Sequence, residues 1–232
     1  MCIRDRFNTI PTSSLSNQKI LFSQLLDDSF DLSEINSHHI KTLLSLSSHR
    51  LDIIRELAMS VLEKSIGFSD EIEECLEHIL QTLVERTNSS DLEDVQHLPE
   101  PMRPVPSQKP SVLHHLVETT EEVRFHFCSI LKELLDTLDE EFIYENLNTF
   151  VNILRALTMD PCPSIRTQAC LVWTSFISCY RESLDNFASI ICRALLLPLA
   201  SKRSPVQLAA LKAIKELLYV GPFKHSVSFC FF

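Results

Sequence analysis

The stretch that decides the fold is DPCPSIRTQACLVWTSFISCY, residues 160–180. It opens with a turn that contains two prolines, and apolar residues then recur at helical intervals. Counted from Arg166, the intervals −1, 3, 7 and 11 are filled by Ile165, Ala169, Trp173 and Ile177. Positions spaced in this way fall on one stripe of an α-helix. The stretch therefore predicts a helix with a single buried face, and Trp173 belongs to that face.

The same stripe occurs three more times. The position of Arg166 is filled by Arg55, Arg124 and Gln207 in the other copies, and each follows a β-branched residue. The last two intervals, 166 − 124 = 42 and 207 − 166 = 41, have the length of one two-helix repeat unit. The first interval, 124 − 55 = 69, is longer by one loop of about 28 residues. Second helices of the units are thus predicted to begin near residues 52, 121, 164 and 205.

A further amphipathic segment precedes each of these helices. First helices are predicted over residues 38–47, 70–85, 141–158 and 184–199. Gly67 and Gly221 are the two glycines of the chain, and both follow a second helix, where a left-handed residue is favoured. Each helix pair leaves an apolar face that only a neighbouring pair can cover. The predicted fold class is therefore an all-α solenoid of antiparallel helix pairs.

The predicted domain organisation is one helical array over residues 15–221. Its units are expected at 37–67, 69–135, 139–181 and 184–221, between a disordered segment 1–14 and an irregular tail 222–232. Five prolines between residues 99 and 110 disfavour a helix, so residues 86–112 are predicted to be a disordered insertion in the second unit. Because neither end reads as the polar cap of a repeat array, the chain is interpreted as a fragment of a longer protein.

Composition argues against several classes of function. The net charge of −10 disfavours a phosphate-backbone binder, so no nucleic-acid partner is expected. No secretory signal is recognisable, and the apolar stretch near residues 190–200 is too short for a membrane span, which predicts a cytoplasmic protein without a membrane partner. The eight cysteines form no C-x-x-C pair. They are interpreted as small buried residues in a reducing compartment, with a disulfide or a metal site as the alternative.

No motif predicts chemistry. The sequence contains no glycine-rich phosphate loop, no G-x-S-x-G and no H-E-x-x-H. The pairs His38–His39 and His114–His115 are interpreted as surface or capping histidines, because adjacent helical residues point about 100° apart and cannot hold one ion together. No catalytic, cofactor-binding or metal-ligating residue is therefore predicted, and no small-molecule substrate.

The repeat units resemble the HEAT-repeat family. The resemblance is carried by the Asp160-Pro161 turn, the pair Ile165-Arg166, and Ala169 where two helices approach closely. It implies that Arg55, Arg124 and Arg166 form a structural ladder of polar contacts inside the array. The alternative, which the sequence leaves open, is that the arginines contact a partner protein together with Gln168, Arg181 and Lys212.

The stretch SKRSPVQLAALKAIKELLYVGPFKHSV, residues 201–227, resembles HEAT-repeat factors that assist preassembly of axonemal dynein arms. The resemblance implies a non-catalytic scaffold whose partners are proteins, namely dynein chains and chaperones. A karyopherin-type transport receptor, which binds cargo and a small GTPase, is the alternative because it also uses HEAT arrays. Ser90, at the head of the acidic run SDLED, is predicted to be a phosphorylation site for an acid-directed kinase.

Overall fold

The computed structural model describes residue 10 and residues 13–27, 35–68, 71–87 and 117–221. Within these ranges every regular element is helical. The α-helices are α1 (Leu15–Leu25), α2 (Ser37–Leu46), α3 (Asp52–Ile66), α4 (Ile72–Thr87), α5 (Glu121–Thr137), α6 (Glu140–Glu145), α7 (Leu147–Thr158), α8 (Pro163–Cys179), α9 (Ala188–Leu199) and α10 (Ser204–Leu217). Two 3-10 helices, Arg181–Ser183 and Asp185–Phe187, connect α8 to α9.

The helices stack in two rows. The second helices α3, α5, α8 and α10 pack one against the next, and we call them, with α1, the second-helix row. The first helices α2, α4, α7 and α9 pack in the same order and form the first-helix row. The pairs α2–α3, α7–α8 and α9–α10 connect the two rows. This arrangement is the predicted all-α solenoid, and the second helices begin within one residue of their predicted starts.

Local chemistry explains where several helices begin. Asn36 caps α2, because its side chain accepts a hydrogen bond from the backbone N–H of His39 while the His39 ring accepts one from the Asn36 N–H. His39 is thus a capping histidine, as predicted. Pro163 and Pro205 lie in the first turns of α8 and α10. A proline is tolerated there because the N–H that it lacks has no intrahelical partner.

The repeated stripe forms the core. Its members in α3, α5 and α8 are all buried, and Trp173 is fully buried. The Trp173 indole donates a hydrogen bond of 2.9 Å to Thr158 Oγ1, so its one polar atom is satisfied. In the last copy the stripe is buried at Val206 and Ala210 of α10, but Leu218, directly after the end of α10, is exposed. The last member differs because the described chain contains no further second helix to cover it.

Four expectations need correction. The helix predicted over residues 141–158 is two helices, α6 and α7, which are separated at Asn146 with φ −111° and ψ 11°. The helix predicted from residue 184 begins at Ala188, after the 3-10 turns. Gly67 is right-handed, with φ −71°, because the chain leaves α3 through an ordinary helical turn. Arg86 and Thr87 belong to α4, although the insertion was predicted to begin at residue 86.

Gly221 does have a positive φ, of 22°, but it lies four residues beyond the end of α10. A Cβ atom at this position would overlap the carboxylate of Asp185. Asp185 is exposed and its side chain could move aside, so glycine is favoured here mainly by the positive φ.

Helix α1 was not predicted as an element. It packs against α3 and buries Gln18, Phe22 and Leu25. Ile10 is also buried and accepts a 2.8 Å hydrogen bond from the Gln18 side chain, so packed residues extend into the segment 1–14 that was predicted to be disordered. The remaining residues of that segment up to residue 12, the insertion from residue 88 to 112, and the tail from residue 222 lie outside the described residues. In the described part of the chain, no helix is long and apolar enough to cross a bilayer.

Candidate interaction surface

Arg55 connects the first unit to the second. Its Nε and Nη2 donate to the two carboxylate oxygens of Glu118 at 2.8 and 2.9 Å. Nη2 also donates to Thr120 Oγ1, and Nη1 donates to the carbonyl of His49 in the turn before its own helix. The guanidinium thus bridges two turns, because its planar fork can satisfy several acceptors at once.

Arg124 repeats this arrangement one unit later. Its Nε and Nη2 donate to the carboxylate of Asp160 at 2.7 and 3.2 Å. Its Nη1 donates to the carbonyls of Glu118 and Thr119, in the turn before its own helix. Both Arg124 and Asp160 are buried. The two arginines therefore lie between neighbouring units.

One spacing generates both contacts. Glu118 lies six residues before Arg124, and Asp160 lies six residues before Arg166. Each of these acidic residues accepts an N–H bond from the residue two positions later, Thr120 or Cys162. Each also pairs with the arginine of the preceding unit. The carboxylate therefore stabilises its own turn and holds the neighbouring unit, which explains why an acidic residue is needed there.

Glu118 has the most cationic surroundings of the described acidic residues. Its side chain is fully buried, and its carboxylate binds the guanidinium groups of both Arg55 and Arg86. Burial alone would raise the pKa of this carboxyl. The hydrogen bonds from Arg55, the Thr120 N–H and Arg86 outweigh burial and hold its pKa below the ordinary value. Glu118 is thus held as a carboxylate between three helices.

Arg166 differs from the other two arginines. Its Nη1 donates to the carbonyls of Asp160 and Pro161, in its own turn, at 2.7 and 3.2 Å. The residue six positions before Gln207 is Ser201, so the next unit has no carboxylate to offer. Ser201 Oγ accepts the N–H of Arg203, as Asp160 accepts that of Cys162. The two turns share this hydrogen bond, but the turn before α10 offers Arg166 no carboxylate.

The predicted partner-binding residues do not form one cluster of contacts. Gln168 is half-buried on α8, and Lys212 is exposed on α10. Arg181 lies after α8, where it donates to Glu216 Oε2 at 2.5 Å and stacks over the Tyr219 ring at 5.2 Å from its centroid. Gln168 and Lys212 thus lie on the second-helix row, whereas Arg181 connects α10 to the preceding turn. Partner binding by the three remains a prediction.

Two surface depressions accompany the rows. A groove between α3 and α5 is lined by Glu56, Glu121, Glu122, Phe125 and His126. His126 Nδ1 lies 2.6 Å from Glu63 Oε2, which brings a further acidic residue to this part of the row. On the first-helix row, a cleft of about 640 Å³ separates α2 from α4, and its lining includes Lys41, Glu77 and Glu85. The groove is acidic and the cleft is mixed in charge.

The cysteines divide into two groups. Cys75, Cys128 and Cys170 are buried, as interpreted from the sequence, but Cys179 is exposed, and Cys162 and Cys192 are intermediate. Burial raises the pKa of the Cys170 thiol to about 12, which keeps it protonated. The six cysteines in the described ranges are free thiols. The same ranges contain no group of three metal-ligating side chains. Ser90 and the pair His114–His115 lie outside the described residues.

The sequence predicts Asp160 and Glu118 as acceptors for Arg166 alone. Arg166 does bind the Asp160 carbonyl, but the carboxylates of Glu118 and Asp160 pair with Arg55 and Arg124. Arg86 was not predicted as a member of the ladder. The spacing of six residues between the acidic residue and the arginine occurs twice and could have identified Glu118 and Asp160. Arg86 has no equivalent in the other units, so its position beside Glu118 depends on how α4 packs against the turn before α5.

Three comparisons with known proteins bear on these features. A family model described as "Dynein axonemal assembly factor 5-like, TPR repeats" matches residues 110–228, just over half of the chain. No curated protein matches the chain. The description names TPR repeats, whose unit has about 34 residues, whereas the spacing of 41 to 42 residues found here is that of HEAT and armadillo units.

Solved structures support the fold. Computationally designed armadillo repeat proteins for modular peptide recognition are 13% identical, with a TM-score of 0.58 over 97% of this chain and 86% of theirs. An engineered protein from a structural genomics consortium is 14% identical, with a TM-score of 0.51 over 94% of this chain and 99% of its own. These likenesses concern the fold alone. Together with the family match, they confirm the resemblance to HEAT and armadillo arrays that the sequence indicated.

Proposed function

We propose that this chain, which belongs to the family of dynein axonemal assembly factor 5-like repeat proteins, is a non-catalytic cytoplasmic scaffold that assists the assembly of axonemal dynein arms. The family match over residues 110–228 carries the proposal, because it includes α5 to α10 and both acidic residues of the ladder. The chain is a helical repeat protein of a kind that serves as an interaction scaffold. The role in assembling dynein arms and the cytoplasmic location are proposals.

The second-helix row is the surface on which a client would be held. Arginine–carboxylate contacts join α3 to α5 and α5 to α8 near the beginnings of these helices, and α10 packs directly on α8, so the row presents its solvent-facing side chains on a fixed frame. The designed armadillo repeat proteins, which have a similar fold, were made for modular peptide recognition. We therefore propose that an extended segment of a dynein chain, or a chaperone that delivers it, contacts this row at Gln168 and Lys212. Arg181 contributes by holding Glu216 and Tyr219 in place.

A capture experiment tests the proposal. The tagged chain would be used to isolate partners from ciliated cells, with identification by mass spectrometry. Dynein chains and chaperones are the expected partners, and capture should fall for the variants Gln168→Ala and Lys212→Ala. Lys41→Ala, at an exposed position on the first-helix row, is the matched control and should capture normally.

The result could instead reveal nucleoporins and a small GTPase, which would assign the chain to transport and refute the assembly role. Capture that is equal for all three variants would refute the proposed binding surface. Urea unfolding of each variant must accompany the experiment, because a loss of capture is informative only when stability is unchanged.

A further inference from the structure

The guanidinium groups of the three ladder arginines do not have the same partners. Arg55 and Arg124 each donate from Nε and Nη2 to a carboxylate of the next unit at 2.7 to 3.2 Å, and from Nη1 to carbonyls of their own turn. Arg166 makes only the second kind of contact, because its Nη1 donates to the carbonyls of Asp160 and Pro161. In the part of the chain that the structure describes, its Nε and Nη2 have no acceptor, and neither nitrogen is buried. We call this side of the guanidinium the open edge of Arg166.

The edge is open because of one residue in the next turn. Ser201 occupies the position that is filled by Glu118 and Asp160 in the two earlier turns. Its hydroxyl accepts the N–H of Arg203 at 3.2 Å, so the hydrogen bond inside the turn is kept. A serine carries no carboxylate that could also pair with the guanidinium. The helices on both sides of this junction, α8 and α10, are described, so the missing carboxylate lies inside the array and not at its end.

The turn before α10 is cationic. Lys202 and Arg203 directly follow Ser201, and both are exposed. Residues 186–215 contain no aspartate or glutamate, so no acidic residue of α9 or of the first three turns of α10 offsets them. A cationic turn of this kind attracts anions to the junction.

The acidic residues of the last two units are engaged or distant. The carboxylate of Asp160, in the turn before α8, is bound by the arginine of α5. Glu121, at the start of α5, accepts hydrogen bonds from two side chains at the start of α8. Glu182, Asp185 and Glu216 lie at the opposite end of α8 and α10. Because α8 has 17 residues, that end is about 25 Å away.

We propose that the open edge of Arg166 binds a carboxylate of a partner protein, from an aspartate or glutamate side chain. The other two ladder arginines hold a carboxylate at the same edge in bidentate geometry, which the planar fork of a guanidinium matches. Lys202 and Arg203 extend the contact to further acidic residues of the same partner segment. Residues 222–232 of the chain are a poor occupant, because they contain no aspartate or glutamate. This inference rests on the proposed scaffold function and specifies the chemistry of the client at one junction.

An NMR titration of the full chain, labelled with nitrogen-15 at arginine, tests the proposal. The probe is a nine-residue peptide in which glutamate alternates with glycine, and the same peptide with glutamine is the uncharged control. The Nε–H signal of Arg166, identified by its loss in Arg166→Lys, should shift with the glutamate peptide and stay in place with the glutamine peptide. The signals of Arg55 and Arg124 should not shift, because Glu118 and Asp160 already occupy the same edge.

A carboxylate supplied by the chain itself should block the site. Ser201→Asp should shift the Arg166 signal without peptide, and it should weaken binding of the glutamate peptide by about tenfold, measured by fluorescence anisotropy. Ser201→Asn is of the same size but uncharged and should bind normally. Ser204→Asp adds the same charge at an exposed position in the first turn of α10 and should weaken binding by about twofold at most. Urea unfolding of the three variants should show no loss of stability, so that weaker binding cannot come from unfolding.

Four results would overturn the proposal. An Arg166 signal that does not move, or that moves equally with both peptides, would show that the edge does not select a carboxylate. Equal weakening by Ser201→Asp and Ser204→Asp would mean that only the net charge of the turn matters. A shift of the signal in the free chain after neutralisation of the acidic run at residues 91–94 would make the chain's own segment the occupant. Tighter binding of inorganic phosphate than of the glutamate peptide would assign the site to phosphate groups.

The titration is independent of the dynein role. If the glutamate peptide shifts the Arg166 signal but no dynein chain or chaperone is captured from ciliated cells, the proposed function fails while the carboxylate site stands. If dynein chains are captured equally by the unsubstituted chain and by Ser201→Asp, only the inference about Arg166 fails.

Discussion

The junctions on the second-helix row are built in two ways. Between α3 and α5, and between α5 and α8, an arginine of one unit pairs with a buried carboxylate of the next. Between α8 and α10 that ion pair is absent. Instead, α10 makes the most extensive contact of any helix pair with α8 and buries Val206, Ala209, Ala210 and Ala213. The same pattern of buried residues is thus compatible with a junction held by an arginine–carboxylate pair and with one held by small apolar side chains.

The difference shows what each kind of contact contributes. A bidentate pair between guanidinium and carboxylate depends on geometry, so it fixes the register of one unit against the next. Small side chains let two helices approach closely, and the junction is then held by many weak dispersion contacts. We expect the first two junctions to be sensitive to changes in charge, and the third to changes in side-chain volume.

The largest effect is expected for Glu118→Ala. Removal of this fully buried carboxylate leaves the guanidinium groups of Arg55 and Arg86 without their shared acceptor, which should lower the free energy of unfolding by about 3 to 5 kcal/mol. Urea unfolding measures the change. Glu122→Ala, at an exposed position in the first turn of α5, is the control and should have little effect. Equal losses in the two variants would mean that the ladder does not hold this junction.

Acid should weaken the same junction. Because the pKa of Glu118 is below its ordinary value of 4.5 in the folded protein, its contribution is complete above about pH 4.5 and is lost as the pH falls through the folded pKa. Unfolding would be measured from pH 7 downwards for the unsubstituted chain and for Glu118→Gln. The difference in their free energies of unfolding should shrink below pH 4.5. A constant difference would show that Glu118 does not titrate with the predicted sign.

The third junction should respond to volume. Ala210 is fully buried where α10 meets the array, so Ala210→Leu should cost about 2 kcal/mol through overpacking. Because the substitution removes no charged group, and the Arg181–Glu216 ion pair is present in both proteins, the loss measured in urea should be the same at low and high salt. Leu208→Ala, on the exposed side of the same helix, should change stability little. If Ala210→Leu were tolerated, close packing would not be what holds α10.

Arg166 should matter less than its two equivalents. It donates to two carbonyl oxygens of its own turn, so Arg166→Ala should cost about 1 kcal/mol. Arg124→Ala removes the partner of the buried Asp160 carboxylate and should cost about 3 kcal/mol. The two variants would be compared by urea unfolding and by partner capture. If Arg166→Ala leaves stability unchanged and abolishes capture, this arginine belongs to the binding surface.

The smallest expected effect is a gain. Ser201 occupies the position that Asp160 and Glu118 occupy in the earlier turns, and it already accepts the equivalent N–H. Ser201→Asp would therefore offer Arg166 a carboxylate and should stabilise the chain by about 0.5 kcal/mol. A double-mutant cycle with Arg166→Ala isolates the pair. A gain that survives in the Arg166→Ala background would come from the turn alone.

Much of the fold was predictable because its main determinant is local. The stripe around Arg55, Arg124, Arg166 and Gln207 was enough to predict the starts of α3, α5, α8 and α10. Helix α1 was missed because Gln18, buried beside Phe22, replaces an apolar residue and weakens the pattern. The separation of α6 from α7 was missed because the apolar period continues through Asn146, and only the backbone conformation at that residue reveals it.

The candidate surface was less predictable. Arg181 was identified from its charge, but its partners Glu216 and Tyr219 are 35 and 38 residues away in the chain. The exposure of Leu211 was also not foreseen, since the sequence pattern of α10 is the same as that of helices in which the equivalent residue is buried. Exposure depends on whether a further helix follows in space, and the periodicity of one helix carries no information about that.

By itself, the sequence determined the helical class and the spacing of the units, and it predicted Arg55, Arg124 and Arg166 as ladder residues. These features follow from side-chain periodicity and from one repeated turn, which act over a few residues. The tertiary structure alone decided that Glu118 collects Arg55 from α3 and Arg86 from α4, and that Arg166 finds only carbonyl oxygens. The physical reason is that an ion pair depends on the distance between side chains from different helices, and helix packing sets that distance.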